Sequence, residues 1–184
     1  MNHSMAAQVL GVSAPPVAAR YGAKGNEATG WLTRNGIPVP TAPNRFTHWQ
    51  EHGGGRCLRL GNTEFLIEHD AADIAPSTPA ATDAAWLLLR SDHSLLLEGP
   101  QWPEALSQVC SFDFRRFHDE PDMVVMTLLA GISVTLVREP RAADADADAG
   151  QLALRLWCDA SYATYLQQCL QQLARPAIHA GEER

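Results

Sequence analysis

The sequence predicts an α+β fold of two small lobes, each a mostly antiparallel sheet with helices on one face. Three observations carry this. Apolar segments of strand length pair across short turns, with 56–60 and 63–68 meeting at Gly61-Asn62 and 123–129 and 132–138 meeting at Ala130-Gly131. Helical patterns are short and do not alternate one-for-one with strands, as a doubly wound parallel sheet would require. A weak internal echo, GNEATGWLTRNGIPVP at 25–40 and GPQWPEALSQVCSFDF at 99–114, runs Gly, short amphipathic helix, extended segment in both halves.

A chain of 184 residues with 46% hydrophobic content is long enough for one compact core or two packed lobes. Residues 1–16 are small and polar and close on Ala14-Pro15-Pro16, the pattern of a flexible N-terminus. The first lobe is assigned to 17–69. Residues 70–83 (DAADIAPSTPAATD) form the connection, 84–175 the second lobe and 176–184 a frayed tail.

In the first lobe, Asn26 is the expected N-cap of a short helix whose apolar face carries Ala28, Trp31 and Leu32. Gly36 stops it, and Pro38, Pro40 and Pro43 force an extended run into the first hairpin. In the second lobe, 85–90 and 94–97 read as strands about a turn at Asp92-His93. Gly99-Pro100 opens a helix with Ala105, Leu106 and Val109 on one face. After the second hairpin come a low-complexity acidic loop at 141–150 and a half-buried strand at 151–157. A final helix, capped by Asp159, has Ala163, Leu166, Leu170 and Leu173 inward. Strand, helix, hairpin, strand, helix from 94 to 174 predicts a split-βαβ, ferredoxin-like unit.

Composition excludes several functions. A net charge of -7 argues against nucleic-acid binding, which needs clustered Lys and Arg. No apolar run reaches the length of a membrane span, and residues 1–17 lack a basic start followed by a long apolar stretch, so a cytoplasmic location is expected. Cys57, Cys110, Cys158 and Cys169 form no CxxC pair and read as reduced and structural.

The chemistry-bearing residues form no compelling constellation. Asp144, Asp146 and Asp148 suggest a calcium loop, but Ala149 and Arg155 occupy the places where an EF-hand needs Gly and Glu. Gly22-Ala23-Lys24-Gly25 and Gly53-Gly54-Gly55 match no phosphate-binding fingerprint. Cys110, Asp113, His118 and Asp119 are the one local group of nucleophile, acid and base types. Their spacing does not set a Cys–His pair, and a buried Cys110 beside a surface His118 is the alternative. His48, His52, His69 and His93 read as surface histidines on turns. No catalytic, cofactor-binding or metal residue is therefore assigned. Trp31 and Trp157 fit core faces. Trp49 and Trp102 lie in polar or Pro-flanked segments, open to core packing or to a partner; with Phe117 third, they are the candidate partner-interface residues.

Residues 20–45 (RYGAKGNEATGWLTRNGIPVPTAPNR) and 59–67 (RLGNTEFLI) resemble the N-terminal part of sarcosine oxidase gamma subunits. So, in order and spacing, do Cys110-Ser111-Phe112-Asp113, MTLLAGISVTLVRE at 126–139 and LRLWCDASYATYLQQCL at 154–170. The resemblance implies a fold related to the glycine-cleavage T-protein and its folate-binding relatives. It also implies an accessory chain of a heterotetramer that demethylates sarcosine or a similar N-methyl amine. This chain would carry no cofactor; FAD, FMN, NAD and tetrahydrofolate would sit on partner chains, with the larger alpha-type subunit as its contact. The alternative is a stand-alone folate or one-carbon-binding protein, or an aminomethyltransferase-like enzyme. The KGC-type motif of the tRNA-modification-linked relatives is absent, because Asn26 follows Lys24-Gly25, which weakens that alternative.

Overall fold

The computed structural model describes residues 10–16, 19–70, 77–80, 83–99, 101–139 and 153–174. In chain order these form β1 (Gly11–Ser13), β2 (Arg20–Lys24), α1 (Ala28–Arg34), β3 (Arg45–Trp49), β4 (Gly55–Arg59), β5 (Glu64–His69) and β6 (Trp86–Leu89). There follow β7 (His93–Glu98), α2 (Trp102–Ser107), α3 (Arg116–Asp119), β8 (Val125–Leu129), β9 (Ile132–Arg138), β10 (Ala153–Cys158) and α4 (Ala163–Leu173). The first nine residues, the acidic loop 141–150 and the tail 176–184 lie outside the described residues.

The strands build two five-stranded antiparallel sheets, one in the order β3-β4-β5-β2-β6 and the other β8-β9-β10-β7-β1. The predicted α+β class is what the chain adopts. Both hairpins form, with Arg56 opposite Glu68 in one and Val125 opposite Leu136 in the other. The two sheets share one topology: strand, helix, then three strands in which the last inserts beside the first. Each is completed by an edge strand: β6, next after β5 in the chain, pairs with β2, and β1, from before β2, pairs with β7 of the second sheet.

That arrangement corrects two expectations. Residues 10–13 are not a flexible lead: Leu10 is buried and β1 extends the second sheet. The crossing between sheets falls at 90–92, after β6, and not within 70–83. The predicted succession of strand, helix, hairpin, strand and helix is what β7 to α4 form, with β10 antiparallel between β7 and β9. Local periodicity identifies a strand but carries no information on which sheet it joins.

The sheets pack face to face between helical layers. Tyr21, Trp31, Leu32 and Phe65 pack α1 against the outer face of the first sheet. Leu95, Leu106, Phe117, Leu156 and Leu166 pack α2, α3 and α4 against the outer face of the second. Between the sheets, Phe46, Leu58 and Leu66 meet Val124, Val137 and Trp157. The predicted inner face of α4 is confirmed at Leu166 and Leu170, both buried. Its lead-in is a 3₁₀ turn capped by Asp159, which accepts from the Ser161 amide at 2.8 Å. Helix α1 starts one residue later than expected. Its N-cap is Glu27, held by a 3.4 Å amide bond to the Ala84 carbonyl, and the Asn26 side chain plays no capping part.

Candidate functional site

Two features of the folded chain are candidates for function, a buried charged clasp between the sheets and an apolar edge beside an open groove. The clasp centres on Glu68, whose side chain is 2% exposed. Cross-strand register places Arg20 on β2 and Arg56 on β4 directly opposite it. From the facing sheet come Arg155 and Trp157 of β10. The Glu68 carboxylate accepts from Arg20 Nε at 2.7 Å, Arg56 Nη1 at 3.1 Å and Trp157 Nε1 at 2.9 Å, and also from Arg20 Nη2 and Arg155 Nη1. Arg56 and Arg155 reach on to Glu139, at 2.6 and 3.2 Å, and Arg20 Nη2 donates to Ser94 Oγ at 3.0 Å.

Burial alone would push the Glu68 carboxyl up, but Arg155, Arg20 and the hydrogen bonds from Trp157 and Arg20 outweigh it and hold it below 4.5. A carboxylate with five donors on its two oxygens, sealed from solvent, has no lone pair to offer a substrate proton. The clasp therefore joins the sheets and has no acid–base role. Its sequence signal is a charge of each sign at inward-facing positions of otherwise apolar strands, in FLIEH at 65–69 and LRLW at 154–157.

The second feature begins at β6. Trp86 is 61% exposed and Leu89 94%, with Leu88 also exposed. By register, Leu88 lies over Gly22, where an added Cβ would stand 3.4 Å from Leu88 Cβ and 3.5 Å from Arg90 Cδ. Arg90 in turn forms one wall of a groove of about 700 Å³ on the inner face of the second sheet, floored by Met126, Leu128, Thr135 and Trp157. Its guanidinium is tied to Asp92 through two contacts, at 2.8 and 2.9 Å. Met126 and Leu128 are 51% and 59% exposed. An apolar band thus runs from one sheet's edge strand to the other's.

The predicted interface residues fall elsewhere. Trp102 is fully buried at the start of α2, its Nε1 donating to the Glu98 carbonyl at 3.0 Å, and Phe117 is fully buried with Phe112 and Phe114 around it. Both are core residues of the second sheet's helical layer and cannot anchor a partner. Its polar and proline neighbours do not make Trp102 a surface residue: Pro103 sits in the first turn of α2 and the indole points into the core. Trp49 is half-buried, edge-on to His69 at 5.6 Å and folded over Gly55, with part of its ring left to solvent.

Cys110 is buried with its Sγ 3.8 Å from Thr127 Oγ1, Asp113 is turned onto Arg115, and His118 is exposed on α3, so no Cys–His pair forms. His69 is not a surface residue. It is buried at the end of β5, stacked on Tyr21, and burial lowers its pKa. Among the described residues no group of three or more His, Cys, Asp or Glu side chains is placed to hold a metal ion, and no helix is long and apolar enough to cross a membrane.

Two five-stranded antiparallel sheets with flanking helices define a T-protein-like fold, and solved structures share it. A chain of the heterotetrameric sarcosine oxidase from Corynebacterium sp. U-96, in complex with pyrrole 2-carboxylate, superposes with a TM-score of 0.67 at 18% identity. The match covers 95% of this chain and 87% of that one. The glycine cleavage system aminomethyltransferase T from Bartonella henselae superposes with a TM-score of 0.62 at 14% identity over 88% of this chain, which spans only 45% of that protein. No family model and no curated protein sequence matches the chain.

Proposed function

We propose that this chain is an accessory, non-catalytic gamma-type subunit of a sarcosine oxidase-like complex, bound to a larger alpha-type chain. The observation that carries the reading is the two-way coverage against a chain of a heterotetrameric sarcosine oxidase, 95% and 87%. The aminomethyltransferase match leaves more than half of that enzyme without a counterpart here. The exposed band from β6 to β8 supports it as well, since an accessory subunit keeps apolar surface for its partner. In this reading flavins, NAD and tetrahydrofolate belong to the partner chains. The oxidative demethylation of sarcosine or a similar N-methyl amine is the work of the assembly.

The open groove beside Trp157 favours a second reading, a stand-alone one-carbon-binding protein that uses that space for a folate-type ligand. Turnover separates the two. The purified chain alone should neither demethylate sarcosine nor transfer a one-carbon unit to tetrahydrofolate, whereas the assembly with its alpha-type partner should do so. One-carbon transfer by the isolated chain would establish the second reading instead.

A further inference from the structure

We infer that β6 is the docking edge of this protein, at which a strand of a partner chain is added to the first sheet. The inference rests on the accessory-subunit reading and specifies where and how that partner binds. β6 closes the first sheet, and among the described residues no strand pairs with its outer side. A free sheet edge is a template for another chain unless it is protected by proline, charge, a bulge or very short length. Trp86-Leu87-Leu88-Leu89 has no proline and no charge. The opposite edge, β3, is handled differently: Thr47 on it donates to the Pro38 carbonyl, which ties down the proline-rich segment before it. β1 is only three residues long.

The side chains suit the same purpose. Alternation along β6 sends Leu87 into the core beneath the first sheet and leaves Leu89 beside it 94% exposed. Trp86 and Leu88 cover the other side. Leu89 is therefore exposed on one side of the edge and Trp86 and Leu88 on the other, so a strand added to β6 would have apolar side chains to cover on both of its faces. Among the described residues the cations beside the edge each have a carboxylate partner, Arg90 with Asp92 and Lys24, opposite Trp86, with Glu64, so the surface matches an uncharged, apolar strand better than an acidic or basic one.

The test uses the full chain co-expressed with its cognate alpha-type chain, as wild type, Leu88→Lys and Leu89→Lys. Both substitutions are at exposed positions, and an unchanged thermal midpoint verifies the fold. Each is expected to weaken the complex about tenfold or more, and amides 86–89 are expected to gain hydrogen-exchange protection in the wild-type complex. Undiminished binding by both variants would overturn the inference and leave the accessory-subunit reading standing. Weakened binding without protection at 86–89 would also overturn it, since side-chain contact alone is not strand addition. A wild-type chain that binds no alpha-type chain overturns both, whether it stays a monomer or forms a homodimer that Leu89→Lys dissolves.

Discussion

At the scale of single residues, Glu68 accepts five hydrogen bonds, from three arginines and Trp157, in the described part of the molecule. Removing one partner from a buried ion cluster leaves the others uncompensated, so Glu68→Ala should destabilise the fold by about 3–5 kcal/mol in chemical denaturation at neutral pH. A loss below about 1 kcal/mol would mean that the three arginines are solvated without it. The acid limb of stability should include contributions from His69, together with His48, and from Glu68. His69 is buried and its folded pKa lies below 6.5, so its contribution is present above that value and is lost as the pH falls through the lowered one. Glu68, held below 4.5, loses its contribution only in more acid solution. His69→Gln should flatten the decline between about pH 7 and pH 5 and leave the lower one in place. At Trp102 the core assignment predicts that Trp102→Ala costs about 3–5 kcal/mol, a folding defect and not a selective loss of binding. None of these environments was legible residue by residue. A charge in a strand announces that it is inward only when the strand's facing partner is known, and an aromatic beside proline reads the same in a core or on a surface.

Elements were legible where local pattern decides them and obscure where long-range pairing does. Both hairpins, the helix carrying Trp31 and Leu32, and the face of α4 with Leu166 and Leu170 follow from periodicity and turn residues alone. The sheet that β1 and β6 join does not, because a segment of three or four residues fits either sheet equally well. Even so, the echo between 25–40 and 99–114 marks the true internal repeat: each segment begins at the end of its sheet's first strand and leads through a helix. Gly25 opens the first of these with φ +127°, and a Cβ there would stand 2.3 Å from the Ala84 carbonyl oxygen. Gly25→Ala should therefore cost about 1–3 kcal/mol or more through strain and steric overlap. Gly61→Ala, in open space at the hairpin turn, should change stability by about 0.5 kcal/mol or less. Equal effects in thermal melts would show that β6 does not press on this corner.

For the whole molecule, the clasp and the core between the sheets make one body of two pseudo-equivalent halves, and the polar and apolar surfaces of that body differ. The clasp fills the space between the sheets with matched charge around Glu68. At the groove end, Met126, Leu128 and the β6 side chains remain uncovered. The fold hides Trp102 and Phe117 beneath its helices and exposes Trp86 and Leu89 at a sheet edge. The overall class was readable from the sequence because strand and helix lengths exclude parallel architectures. The exposure of β6 was not, since a run such as WLLL signals burial and says nothing of whose atoms bury it. The accessory-subunit account is tested most directly by native mass spectrometry of this chain co-expressed with its alpha-type partner. It predicts a stable hetero-assembly containing one copy of this chain for each alpha-type chain; this chain alone at its monomer mass, with the alpha-type chain assembled without it, would contradict it.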